Sequence, residues 1–373
     1  MLFGFGKKQT KRYLGIDIGA GGVKVVELVN EKGRGRLVTY GYSEHAVDGA
    51  VIHPLDNTKA TAELLTKICQ KSGTTSTRAI GALPLNSVFS AIVAVPRGKD
   101  EKAMKEAVNE QVKRLTPMPL EEMITYSTFI DPLKIKEEKK PAALPGSPPP
   151  VISSKDYVRV LVTGAAKSLV QKYIEIFKLA KLELVALDTE AFALIRALVG
   201  KDKSTIMIVD MGYTRTNLTI VEKGVPFLTR SINVGGGSVT QKIMEQLHIS
   251  EAEAERTKQD LGTMAESDSQ MGEGLQAILA SIFQPMLNEI KYASEVFSKM
   301  ELTDGKKIEK IILTGGSARL PSLARELAAA LNINVYVGDP WARVMTPDEL
   351  RPILDEIGPK FSIAIGLAMR EMD

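Results

Sequence analysis

Leu14-Gly15-Ile16-Asp17-Ile18-Gly19-Ala20-Gly21-Gly22-Val23-Lys24-Val25-Val26-Glu27-Leu28 is the stretch from which the rest of the chain is read. Two short apolar runs flank a glycine-rich turn, with one acid, Asp17, near the end of the first. Glycine supplies positive φ and lets backbone N–H groups approach a ligand that a Cβ would hold off. Such a turn can cradle phosphate, and Asp17 beside it is placed to hold the magnesium of a nucleoside triphosphate. The same residues also make an ordinary hairpin, so this stretch alone leaves both readings open.

The plan recurs. Ile206-Met207-Ile208-Val209-Asp210-Met211-Gly212-Tyr213-Thr214-Arg215-Thr216-Asn217-Leu218-Thr219-Ile220-Val221 is again an apolar run, an acid, a polar Gly-containing turn and a second apolar run. Further on, Ile311-Ile312-Leu313-Thr314-Gly315-Gly316-Ser317 runs from an apolar strand into Gly-Gly and a helix. Three such elements in this order resemble the actin-like ATPase superfamily, which includes actin, heat-shock chaperone ATPases, sugar kinases, MreB and FtsA. The resemblance implies an α/β fold of two related halves around a nucleotide cleft, with ATP and Mg2+ between the hairpins.

Residue by residue, the resemblance puts the metal beside Asp17 and Asp210. Phosphate contacts fall to Gly19, Ala20, Gly21, Gly22, Val23, Lys24, Gly212, Tyr213, Thr214, Thr216 and Asn217. Gly315, Gly316 and Ser317 back the adenosine, together with the glycine run Gly235-Gly236-Gly237. In Ala254-Glu255-Arg256-Thr257-Lys258 the acid and the lysine stand three apart, on one helix face, as do residues beside ribose and adenine in MreB and the chaperones. The helix before the second hairpin supplies a group that orients the attacking water, with Asp188 and Glu190 as candidates. Both also suit a helix start, as cap or first-turn acid. Binding and turnover are separate properties, so hydrolysis stays open between a slow ATPase and binding alone.

Composition narrows the rest. The chain has 373 residues, enough for two or three domains, and a net charge of +3 that argues for no nucleic-acid partner. Cys69 is the single cysteine, so no internal disulfide forms, and His45, His53 and His248 lack ligand spacing. No apolar run reaches the roughly 18–20 residues of a membrane span. Met1 to Arg12 is apolar, then basic, without the core of a signal peptide. A cytoplasmic protein is expected, in contact with the membrane only peripherally.

The expected organisation is 10–86 for the first part of one half, an inserted subdomain over 87–187, and a connecting helix within 188–203. The second half has its core in 204–234 and 307–360, a small subdomain over 235–306, and a second connecting helix from 361 to 373. Within the insertion, strand, helix, strand and strand are expected at about 88–95, 99–115, 124–130 and 157–163, the order of the FtsA-like (SHS2) subdomain. Lys134 to Lys155, with Pro148-Pro149-Pro150, cannot pack and reads as a flexible loop.

Sugar kinases need an acceptor pocket and a dedicated base, and no motif here supplies either. FtsA ends in a linker and a C-terminal amphipathic helix, a pattern not seen here after Phe361 to Arg370. The apolar-basic start, Leu-Gly-Ile-Asp-Ile-Gly running into Val23 to Leu28, and the Pro-containing insert look like the PilM family of type IV pilus assembly proteins. That family is also similar to the cytoplasmic part of GspL. It implies an ATP-binding protein held at the inner membrane by the N-terminal cytoplasmic tail of PilN, bound in a groove involving the insertion. Other pilus assembly proteins, the assembly ATPase and a second copy are further partners it implies. An FtsA-like filament-forming division ATPase and a small-molecule kinase are the alternative functions.

Overall fold

A computed structural model describes residues 11–43, 54–97, 101–131, 157–263, 273–300, 303 and 305–372. The apolar-basic start and the Pro-rich segment fall almost wholly outside them. The chain divides into two compact units, 1–85 with 171–373, and 86–170.

In the larger unit, β1 (Arg12–Gly19), β2 (Gly22–Glu31) and β3 (Arg34–Tyr42) form an antiparallel meander. β1 is buried along six successive residues, as a central strand covered on both faces must be. Helix α1 (Thr58–Ser72) is capped by the Asn57 side chain and ended by Gly73 at φ 67°. β4 (Arg78–Leu83) then lies parallel to β1.

The smaller unit contains β5 (Val88–Pro96), α2 (Glu101–Leu115), β6 (Met123–Phe129) and β7 (Tyr157–Ala166), its strands ordered β5-β7-β6 in an antiparallel sheet. Its core sets Met104, Val108 and Val112, one per helical turn, against Val93, Val95, Val158, Val160 and Val162. Strand alternation and helical spacing thus meet in one apolar layer. A two-point Arg159–Asp131 pair, 2.7 and 2.9 Å, ties β7 to the residues after β6.

Helix α3 (Lys167–Leu179) leads to β8 (Glu183–Thr189), parallel to β4. A helix follows whose first turn is α4 (Glu190–Leu194) and whose last five residues widen into a π-turn to Val199. The second meander is β9 (Ile206–Met211), β10 (Thr216–Glu222) and β11 (Val225–Ile232). Helices α5 (Gly236–Leu247), α6 (Glu251–Thr263) and α7 (Glu273–Lys299) follow, and Ser250 and Glu253 cap α6 reciprocally. Helix α5 starts at Gly236, so Gly236 and Gly237 belong to its first turn. β12 (Lys310–Thr314), α8 (Leu323–Leu331), β13 (Asn334–Val337), the short β14 (Val344–Met345) and α9 (Arg351–Ala368) complete the unit.

The two sheets read β14-β3-β2-β1-β4-β8 and β11-β10-β9-β12-β13. Leaving aside β14, each is the same five-strand plan: an antiparallel meander whose first strand is followed sideways by two parallel strands. Helix α9 begins ten residues before the expected Phe361 and runs through Pro359. That proline reads as a breaker, but the Asp355 carbonyl it leaves without a helical donor accepts from Arg319 at 2.5 Å, and its own carbonyl accepts from the Gly315 N–H and the Thr314 hydroxyl at 3.0 Å each. Trp341 is fully buried and donates to Leu354 O at 2.8 Å. No helix among the described residues is long and apolar enough to cross a membrane.

Candidate nucleotide site

The site begins at the equivalent ends of the two meanders. Asp17 pairs across the ladder with Lys24, and Asp210 with Asn217, so each first strand presents its acid beside a polar residue of its neighbour. Lys24 Nζ lies 3.4 Å from Asp17 Oδ2 and 3.3 Å from Gly22 O, folding the lysine over the first turn. That turn is Ala20-Gly21, and the left-handed backbone falls on Gly22, at φ 114°. A Cβ on Gly22 would lie 2.1 Å from Ser43 O, and Ser43 Oγ accepts the Val23 N–H at 3.0 Å.

At the second turn, Gly212 N–H donates to Arg215 O, while Gly212 O and Tyr213 O accept from Gly236 and Gly237 at 2.8 Å each. The N–H groups of Gly236 and Gly237 are therefore spent within the protein. Gly21 meets Tyr213, whose Cβ would be 3.0 Å from a Cβ on that glycine, so the tips of the two hairpins touch. Gly315, at φ 91°, seats on Met211, with room for no Cβ. Nothing among the described residues lies within 4 Å of the Cβ position of Gly316.

Lys258 is buried, and its Nζ donates to Glu255 (2.6 Å), Thr240 Oγ1 (2.8 Å) and Gly236 O (3.2 Å). A Cβ on Gly236 would stand 2.6 Å from Ser317 Oγ and 3.4 Å from Lys258 Nζ. Glu255, Lys258, Gly236 and Ser317 thus converge from α6, α5 and the turn after β12. Desolvation lowers the Lys258 pKa against the opposing pull of Glu255.

Of the two water-orienting candidates, the fold brings only Glu190 to the paired acids. Its carboxylate accepts the Leu85 N–H at 2.8 Å, and burial, then the charges of Asp17 and Asp210, push its pKa up to about 8. Burial and then Asp17 push Asp210 to about 7. Asp188 is turned to Arg196 and, at 3.6 Å, to Arg370, and is spent as an ion pair. Thr214 is exposed at the turn, whereas Thr216 is buried with its hydroxyl on Val234 O at 2.7 Å. Thr240, Ser43 and Tyr173 escape a reading of the sequence. Of these Thr240 alone leaves a signal there, standing one helical turn after Gly236.

Three carboxylates drawn together in a buried place cost free energy unless a cation offsets them. Among the described residues no three His, Cys, Asp or Glu side chains are close enough to form a metal cage. Magnesium keeps several waters and takes one or two carboxylates plus phosphate oxygens, so Asp17 and Asp210 would be enough to hold it. A buried Asn217 Oδ1, without a partner among the described residues, adds an acceptor beside Asp210.

The raised acids make stability depend on pH. Between the ordinary value of 4.5 and about 8, Glu190 keeps its proton when folded and loses it when unfolded. Stability therefore falls as pH rises through that window, by at most about 1.4 kcal/mol per pH unit for one such group, and levels off above it. Thermal melts of the nucleotide-free protein from about pH 5 to 8.5 should show this decline, and Glu190→Gln should flatten it. A decline of equal slope in the variant would place its origin elsewhere.

Twin five-stranded sheets, each with an acid-tipped hairpin, define an actin-like ATPase fold. Among solved structures, MreB5 of Spiroplasma citri bound to ADP superposes with a TM-score of 0.51 at 13% identity, over 96% of this chain and 95% of that one. The ethanolamine utilization protein EutJ from Carboxydothermus hydrogenoformans gives 0.50 at 17%, over 96% and 89%. The family model for the type IV pilus assembly protein PilM matches residues 15–142 and 148–372, and the chain belongs to that family. A chain of a PilM–PilN type IV pilus biogenesis complex gives a TM-score of 0.75 at 23% identity, over 97% of this chain and 98% of that one. The cell division protein FtsA of Bacillus subtilis is 26% identical over 197 residues, 48% of this chain and 44% of FtsA, so the match spans less than half of that relative.

Proposed function

We propose that this type IV pilus assembly protein binds ATP with Mg2+ between its two hairpins and docks the N-terminal cytoplasmic tail of PilN. The observation that carries the nucleotide reading is the convergence of Asp17, Glu190 and Asp210 on one buried place, with a bare Gly316 near the Gly236–Ser317–Lys258 cluster. Asp17 and Asp210 would hold the hydrated metal. The cation supplies the charge that lets these acids ionise together and neutralises phosphate oxygens. Lys24 and the turn residues Gly19 to Val23 and Gly212 to Thr214 take the phosphates. Gly235 to Gly237, Glu255, Lys258 and Gly315 to Ser317 take the nucleoside. Glu190 would orient a water and accept its proton once the cation has let its carboxyl ionise. In this reading 10–86 with 188–203, and 204–360, are the two halves, each carrying one hairpin.

The partner reading is supported by membership in the family and by the PilM–PilN neighbour. PilN would keep the protein at the inner membrane. The antiparallel unit over 86–170 offers what an extended peptide uses: edge strands for main-chain pairing and, on β6, exposed Ile124 and Tyr126 for side-chain contacts. A fluorescent synthetic PilN tail titrated against the full protein should bind saturably. Substituting Ile124 and Tyr126 with Ser should weaken it about tenfold or more, without a change in the melting curve. Absence of saturable binding to the unaltered protein, together with nucleotide-driven filaments in light scattering, would favour the FtsA-like alternative.

A further inference from the structure

Helix α3 carries a residue that the nucleotide reading does not use. Tyr173, Ile176 and Phe177, spaced i, i+3 and i+4, are its buried face. Phe177 seats on Gly81 of β4, where a Cβ would lie 3.1 Å from the ring, so the missing side chain draws the helix onto the sheet. The backbone partner of Gly81 is Ile16, next to Asp17. The short link from Leu179 to β8 reverses the chain, so α3 runs opposite to β8, β4 and β1. One turn back from Phe177 therefore carries Tyr173 toward the carboxyl ends of those strands, where Asp17, Leu85 and Glu190 lie.

Tyr173 is fully buried, and its hydroxyl has no hydrogen-bond partner among the described residues. A buried tyrosine ordinarily finds one. Burial, followed by the charges of Glu190 and Asp17, raises its pKa well above 10.0, so the oxygen keeps its proton and is a fixed donor. The charged groups that act on it are acceptors, the carboxylates of Glu190 and Asp17. Phenylalanine would fill the same volume without an idle hydroxyl, so packing alone gives no reason for the oxygen.

We propose that Tyr173 is a positioning residue of the nucleotide site, its O–H donating to a water shared with Glu190 when magnesium and nucleotide are bound. The proposal rests on the nucleotide reading above. A water is the fitting intermediary because the hydroxyl feels the acids without reaching any of them within hydrogen-bond distance. It would occupy one lone pair of that water and leave the water's own O–H groups to point at Glu190 and Asp17, without itself exchanging protons.

The test is Tyr173→Phe in the full protein, with ATP binding by calorimetry in excess Mg2+ and in EDTA, and a thermal melt. The expected result is a melting temperature equal to or above that of the unaltered protein and an affinity about tenfold weaker in Mg2+, with the EDTA arm essentially unchanged. Affinities equal to those of the unaltered protein in both arms would leave the hydroxyl idle and overturn the proposal. An equal loss in both arms would make Tyr173 a packing residue and overturn it as well. If the unaltered protein gains no affinity from Mg2+, the nucleotide reading itself falls, and this inference with it.

Discussion

Asp210→Asn is expected to weaken Mg2+-dependent ATP binding about 100-fold while making the nucleotide-free protein more stable. The two effects have one cause. Asp210, near the end of β9, stands at the register of Thr314 on one side and Asn217 on the other, and its carboxylate is buried facing the charge of Asp17. Without a cation that arrangement is repulsive, which adds to burial in raising its pKa to about 7. Asparagine keeps the shape and removes the charge, so the empty site loses a repulsion and the loaded site loses a partner for the metal. Calorimetry with and without Mg2+, with melts at about pH 8, reads both. Unchanged Mg2+-dependent affinity in a folded variant would remove Asp210 from the site and with it the assignment of the cleft.

Gly366→Val and Gly316→Val make the same chemical change and should give opposite outcomes. A Cβ on Gly366 would lie 1.9 Å from Ala193 O and 2.5 Å from its carbon, where α9 lies against α4. Across α9, a Cβ on Gly15 of β1 would meet Ala364 O at 1.9 Å, so the helix is held by backbone on both sides. Backbone cannot swing aside as a side chain can, and overpacking here should cost about 3 kcal/mol or more. Because α4 also starts at Glu190, nucleotide binding should fall together with stability. Gly316, by contrast, has nothing among the described residues within 4 Å of its Cβ position. Valine there should leave the unfolding midpoint within experimental error and weaken ATP by filling the space meant for adenosine. Urea unfolding and calorimetry on both variants decide it. A stable Gly366→Val, or a Gly316→Val that binds ATP normally, would show that the respective glycine serves no packing or ligand role.

The same structure explains why one acid and not its neighbour lies with the two hairpin acids. Asp188 and Glu190 are neighbours in sequence, and both suit a helix start. What separates them is Arg196, on the helix that follows, and Arg370, close to the other end of the chain, which together engage Asp188. Glu190 is left to the N–H of Leu85 and to the two hairpin acids. Glu255 and Lys258 read equally well as a surface pair. Their packing against Thr240 and Gly236 makes them part of a converging cluster.

Features with a local cause are legible in the sequence. Alternation and apolar runs place both meanders, an acid followed by glycine marks both turns, and Gly73 and the Ser250–Glu253 box mark helix ends. These depend on backbone sterics and on neighbours a few residues away. Helix starts escape such a reading where a local breaker is overruled from a distance. Gly236 and Gly237 enter α5 because Gly212 O and Tyr213 O bind their N–H groups. Pro359 sits inside α9 where the Asp355 carbonyl, left without its helical donor, accepts from the distant Arg319. Tyr173 marks the boundary between the two kinds of information. In the sequence it is one more apolar position on α3. Only the seating of Phe177 on Gly81, a contact between residues far apart in the chain that no repeat or motif encodes, brings its hydroxyl to the acids.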